Sequence, residues 1–143
     1  MDRNIEQSVG YQLGIVSHFI QNSYNQKLSE FNITVSQAKV LYFLVEHGNQ
    51  FQSELQNRLY IKASSMNGII ETMRKKGLIE KVDSREDRRS KVIELTEAGR
   101  TMEARLWDEL RTIEEELVRG FSVEEKQLVL AWLKKMQKNM RDQ

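Results

Sequence analysis

The sequence predicts a mainly α-helical chain with one small β-hairpin, an α+β fold in a single domain over 1–143. Three observations predict it. Apolar residues recur at steps of three and four along most of the chain, the period of an amphipathic helix. One stretch breaks that period: Leu78, Ile79 and Val82, then Val92, Ile93 and Leu95, two short runs rich in β-branched residues on either side of a charged tip. Gly48, Gly77 and Gly120 each close a helical pattern, and there is no proline to kink one.

Residues 4–31 carry Ile5, Val9, Leu13, Val16, Ile20, Tyr24, Leu28 and Phe31, a sustained stripe that predicts one long helix with Asn32 as its stop. Residues 34–37 (TVSQ) form a capping box by pattern. The helix it opens carries Val35, Ala38, Leu41, Leu44 and Val45 and ends at Gly48. A short third helix over 51–59 buries Leu55 and Leu59, and 60–63 is the turn that follows. Over 64–76, Met66, Ile69, Ile70 and Met73 stand at i, i+3, i+4 and i+7, with Arg74, Lys75 and Lys76 in the last turn before Gly77. The hairpin comes next, and its tip over 83–91 packs four cations and three anions into nine residues. Such a tip must stay in water or meet a polyanion. Thr96 caps a fifth helix reaching about 119, with Met102, Leu106, Leu110, Ile113 and Leu117 as its stripe and Trp107 beside it. Residues 122–125 (SVEE) are a second capping box, opening a last helix with Leu128, Val129, Trp132, Leu133, Met136 and Met140.

Composition narrows the function classes. Net charge is only +1, yet 58–91 holds ten Lys/Arg against five Asp/Glu, a local +5 that leaves about −4 for the remainder. A basic surface on a near-neutral body is the footprint of a protein that binds a polyanion locally. The absence of cysteine excludes disulfides, cysteine-ligated metal and thiol-based redox sensing. No apolar run approaches a membrane span, and the opening MDRNIEQS lacks the core of a signal peptide, so the expected location is the cytoplasm. His18 and His47 are the two histidines, and no HExxH, GxSxG or phosphate-loop pattern occurs. With no catalytic constellation, an enzyme, a bound metal and a cofactor are not expected.

A short helix, a glycine stop and a basic hairpin describe a winged helix-turn-helix. The run SSMNGIIETMRKKGLIEKV followed by DSREDRRSKVIELTEAG resembles the recognition helix and wing of the MarR family of bacterial transcriptional regulators. The family's wing pattern is Asp, any residue, Arg, then a strand ending in Leu-Thr with a Gly three residues later. It falls here on Asp87, Arg89, Leu95, Thr96 and Gly99. The resemblance covers nearly the whole chain. It implies a winged DNA-binding part over 34–99, with helices over 4–31 and 100–143 joining two copies as a homodimer. It also implies a sequence-specific repressor on a pseudo-palindromic operator in double-stranded DNA, released by a small-molecule effector. The apolar faces at both chain ends agree with a two-fold mate, since a winged domain already has its own core. The alternative use of the same hairpin is a protein-interaction adaptor without sequence-specific DNA binding.

With the core face of the fourth helix fixed, its 100° step turns Ser64, Gly68, Glu71 and Lys75 away from the core, with Ser65 and Thr72 on one flank and Asn67 and Arg74 on the other. Ser and Asn bond base edges, and Asn can pair with adenine. Lys62, Arg74 and Lys75 suit phosphates. Arg85, Arg88 and Arg89 suit phosphates and the minor groove. The resemblance implies DNA contact by Arg89, oriented by Asp87. The competing readings are a plain solvated helix face and an exposed ion pair worth about 0–1 kcal/mol. Gly68 stands where relatives often carry a larger polar or basic residue, and either close approach to DNA or weaker base discrimination accounts for it. Relatives often bind small aromatic or phenolic anions between the dimer helices and the winged part. Here Tyr11, Ile15, His18 and Phe19 fall on successive turns of the first helix, with Tyr42 and Trp107 as facing walls. The competing reading is that these six residues pack a hinge, and for His18 a hydrogen-bonded helix histidine.

Overall fold

The computed structural model describes residues 3–142. Six helices and a two-stranded antiparallel sheet follow one another in the predicted order. The first predicted helix is shorter than its stripe. A 3-10 turn, Ile5–Gln7, precedes α1 (Val9–Ser29), and Ser8 separates them with extended backbone. The Ser8 hydroxyl accepts the Tyr11 N–H at 3.2 Å and donates to the Ile5 carbonyl at 2.9 Å. A serine offering its oxygen to the backbone is a helix start, and here it overrides an apolar spacing that runs through unbroken. The chain leaves α1 through Asn32 in the left-handed region at φ 55°.

Helix α2 (Val35–His47) opens on the predicted box. Thr34 Oγ1 accepts the Gln37 N–H and Gln37 Oε1 accepts the Thr34 N–H, both at 3.2 Å. Helix α3 (Gln52–Leu59) ends at Tyr60, and α4 (Ala63–Lys75) follows after the turn. The end of α4 is closed by two carbonyls. Gly77 N–H donates to Arg74 O at 2.9 Å and Leu78 N–H to Met73 O at 3.1 Å, with Gly77 at φ 74°. This pairing satisfies two orphan carbonyls and needs the glycine at the left-handed position.

Strands β1 (Ile79–Asp83) and β2 (Lys91–Leu95) pair in the register Ile79 with Leu95, Lys81 with Ile93 and Asp83 with Lys91. Gln50 adds a single bridge to the outer side of Ile93, through N–H···O bonds of 2.7 and 3.2 Å. The wing is thereby tied to the start of α3. Lys91 and Asp83 form an ion pair where the strands meet the tip.

Helix α5 (Glu97–Leu117) docks on the wing base through 95–99. Thr96 Oγ1 donates to Gly77 O at 2.6 Å and accepts the Gly99 N–H at 3.0 Å, while Thr96 N–H bonds Leu78 O at 3.1 Å. A Cβ on Gly99 would lie 2.2 Å from the Leu78 carbonyl oxygen, so this glycine is required by close approach. The core lies in the winged part: Leu41, Leu55, Met66, Ile70, Met73 and Ile93 are all at most 1 % exposed. Full burial of side chains of this size contributes about 1.5–3 kcal/mol each. From the terminal helices only Leu28 and Leu106 are buried hydrophobics in this core. Helix α6 (Val123–Arg141), opened by the Ser122–Glu125 capping box, buries no residue in the single chain. Among the described residues no helix is long and apolar enough to cross a membrane.

Candidate nucleic-acid interface

Helix α4 turns Met66, Ile70 and Met73 fully inward with Ile69 half-buried beside them, which leaves Ser64, Ser65, Asn67, Gly68, Thr72, Arg74 and Lys75 exposed. Its N-cap, Lys62, is also exposed and makes no side-chain cap bond, so the first-turn N–H groups lack a side-chain acceptor. Such a helix start favours an anionic oxygen. Asn67 is held from the neighbouring helix, where Gln52 Nε2 on the first turn of α3 donates to its Oδ1. Gly68 has open space where a Cβ would go.

The cations of this region divide into two groups. Lys76 turns back to the Asn32 carbonyl and to Gln37 Oε1 at 3.1 Å. Arg58 donates to Gln50 Oε1 at 2.8 Å and lies over the Phe43 ring, Arg74 pairs with Glu71 at 2.9 Å, and Lys91 pairs with Asp83. Lys62, Lys75, Lys81, Arg85, Arg88 and Arg89 are exposed and, among the described residues, carry no ion pair. Lys81 is a member that helix-face reasoning misses. Strand alternation gives no signal for it, because Lys81 shares a face with buried Ile79 and is paired with buried Ile93, yet is itself exposed. It lines a groove of about 420 Å³ with Glu71, Arg74 and Lys75, which joins the C-terminal turn of α4 to the wing.

The wing tip is ordered by its own backbone. Ser84 N–H donates to Ser90 O at 2.9 Å and Ser90 N–H to Asp87 O at 3.0 Å. The Asp87 carboxylate accepts the Arg89 N–H at 2.9 Å and the Ser90 hydroxyl at 3.4 Å. It therefore fixes the turn on which Arg89 stands, with the guanidinium left outward, and makes no side-chain ion pair with it among the described residues.

The six residues considered for an effector are not gathered together. Tyr42 and Trp107 stack, with ring centroids 5.5 Å apart and planes 8° from parallel. They close a small cleft of about 160 Å³ whose other walls are Tyr24, Leu28, Val35, Ala38, Lys39 and Leu110. Phe19 instead lines a separate groove with Val16, Ile20 and Ile113. His18 meets Phe19 edge-on and lies 3.3 Å from the Asn22 amide nitrogen, while Tyr11 and Ile15 line neither space. Tyr24 lines the Tyr42–Trp107 cleft and His18 does not. Burial, assisted by the Glu114 carboxylate, raises the Tyr24 phenol above the ordinary tyrosine value, so the hydroxyl keeps its proton to a higher pH than an exposed tyrosine.

Residues 31–90, the stretch from the end of α1 through the wing tip, match the model of the MarR family. Over this stretch the chain is similar to the MarR family. A curated relative, the organic hydroperoxide resistance transcriptional regulator of Bacillus subtilis, is 29 % identical over 104 residues, 73 % of this chain and 71 % of the relative. Among solved structures, S. aureus MepR in its DNA-binding conformation aligns with a TM-score of 0.84 at 26 % identity, over 93 % of this chain and 98 % of MepR. The MepR–DNA complex aligns with a TM-score of 0.82 at 26 % identity, over 92 % of this chain and 98 % of that one. In this chain the Leu95–Thr96 and Gly99 signature has a plain mechanical meaning: it seats α5 against the carbonyls of Gly77 and Leu78 at the root of the wing.

Proposed function

We propose that this chain is a MarR-family transcriptional regulator, a homodimeric repressor that binds a pseudo-palindromic operator in double-stranded DNA. In this reading 34–99 is the DNA-binding part, and 4–31 and 100–143 join the two copies. One observation carries it: six exposed cations without ion-pair partners surround the polar outer face of α4 and the wing tip, on a chain of net charge +1. The DNA complex of MepR supports the same use of the fold. Ser64, Ser65, Asn67, Gly68 and Thr72 then face base edges, Lys62, Arg74 and Lys75 the phosphates, and the wing arginines the backbone and minor groove. Val9, Leu13, Phe121, Leu130 and Trp132 are large and exposed in the single chain, and a second copy is the economical cover for them. A chromosomal operator places the protein in the cytoplasm.

The effector of this reading is a small aromatic or phenolic acid in the Tyr42–Trp107 cleft, with the Lys39 ammonium at its rim as the cation and Tyr24 as donor. It releases DNA only by binding better to the dimer whose α4 spacing does not fit the operator. The test is selection of DNA from a randomised library, followed by gel shift across a salt titration. A selected palindromic site bound by a dimer, with affinity falling steeply as salt rises, supports the reading. No enriched sequence, or binding indifferent to salt, overturns it in favour of the adaptor.

A further inference from the structure

We propose that Gln52, on α3, sets which base edges the recognition helix α4 reads, by fixing the amide of Asn67. This rests on the reading of α4 as the DNA-facing helix. An asparagine side chain carries both a donor and an acceptor, and an unheld one can rotate to present either to the groove. Asn67 is not unheld. Gln52 Nε2 donates to its Oδ1 across 15 residues of sequence, from the first turn of α3 to the exposed face of α4. Gln52 is half-buried, whereas Asn67 is exposed on the open side of α4. With its oxygen engaged by Gln52, Asn67 offers the groove its two N–H donors. Adenine recognition by asparagine uses N–H to N7 together with C=O to N6–H, and Gln52 competes for that second bond. The base edges that suit a donor-only amide are acceptors: O6 and N7 of guanine, O4 of thymine and, beside an N6–H2 donor left unpaired, N7 of adenine. Cytosine, whose major-groove edge shows only a donor, is the base it excludes. Gln52 is thus a positioning residue that gives specificity through a residue it touches.

The experiment is selection of DNA from a randomised library by the full-length wild type, followed by gel shifts on every single-base variant of the selected half-site. Gln52→Ala, Gln52→Glu, Asn67→Ala and the double variant Gln52→Ala/Asn67→Ala are measured on the same panel. The wild type should prefer guanine or thymine over cytosine at one position by about five- to tenfold, in the range of a specific side-chain contact. Gln52→Ala should flatten that preference while binding to non-specific DNA and its salt slope stay unchanged. Gln52→Glu can only accept, so it turns the Asn67 N–H2 group toward itself and its oxygen toward the groove. The preference at the same position should then shift to adenine or cytosine, a change that mere loss of helix packing does not produce. The double variant should behave as Asn67→Ala alone. Base preferences unchanged by both Gln52 variants, in a wild type that does select a site, overturn the inference and leave the DNA-binding reading standing. A wild type that selects no site overturns that reading itself.

Discussion

Replacing glycine by alanine inside a helix ordinarily stabilises it by about 1 kcal/mol, because alanine loses less backbone entropy. Gly99 and Gly68 both lie within helices, and the structure assigns them opposite signs. At Gly99 the new methyl would sit 2.2 Å from the Leu78 carbonyl oxygen and 3.0 Å from Leu95 Cδ2. Ordinary contact needs roughly 1 Å more, and the obstacle is backbone, so α5 must lift from the wing base. Overpacking of this kind costs about 1–3 kcal/mol. Leu78 O also accepts the Thr96 N–H, and weakening that bond adds about 0.5–1.5 kcal/mol. These costs outweigh the helix gain, for a net loss of about 1–3 kcal/mol. At this chain length that corresponds to a melting temperature lower by roughly 3–10 °C. Gly68 meets nothing within 4 Å, so Gly68→Ala should gain about 0.5–1 kcal/mol, or roughly 2–3 °C. Both variants are melted beside the wild type at one protein concentration, because association couples to stability. A Gly99→Ala protein as stable as the wild type would refute the close-approach account of the 95–99 signature. The DNA affinity of Gly68→Ala separates the two readings of that residue: it falls if the backbone approaches DNA closely and holds if Gly68 merely forgoes a contact.

Arg89→Ala should weaken operator binding about tenfold or more and reduce the salt slope by about one, whereas Asp87→Ala should weaken it less, through loss of the turn under Arg89; unchanged binding by both removes the wing from the interface. Leu13→Asp puts a carboxylate on a side chain 40 % exposed in the single chain, so the fold should survive while sedimentation at micromolar concentration shifts from dimer to monomer; a persisting dimer rules out the α1 face as its seam. Tyr24 has a raised folded-state value, so the unfolded chain gives up that proton first as pH climbs above about 10, and the stability Tyr24 holds below that pH is lost as pH rises through the folded value. Tyr24→Phe should lose less stability over that alkaline range than the wild type, and identical alkaline slopes in denaturant melts would count against the buried phenol.

What the sequence discloses of this fold follows from the range of the forces involved. The Thr34 and Ser122 boxes are bonds between residues three apart, and the Gly77 stop spans one turn, so both can be read from neighbours alone. The core stripe of α4 is equally local, which is why its outer face was named without a structure. The break at Ser8 was hidden because apolar spacing carries across it, and a single hydroxyl decided the matter. Contacts made across the chain were beyond periodicity altogether. Lys75 and Lys76 are adjacent and alike, yet one faces out while the other reaches back to Asn32 and Gln37, and nothing in their spacing separates them. The cleft beside Trp107 draws on Tyr24 and Lys39 because α1 and α2 both pack on α5, with Lys27 and Glu109 paired at 3.2 Å, a register no stripe encodes. The same holds for Gln52, whose amide only the fold sets against Asn67. Residues that read DNA can thus be named from one helix face, while those that decide what is read come from whichever element the fold lays beside it.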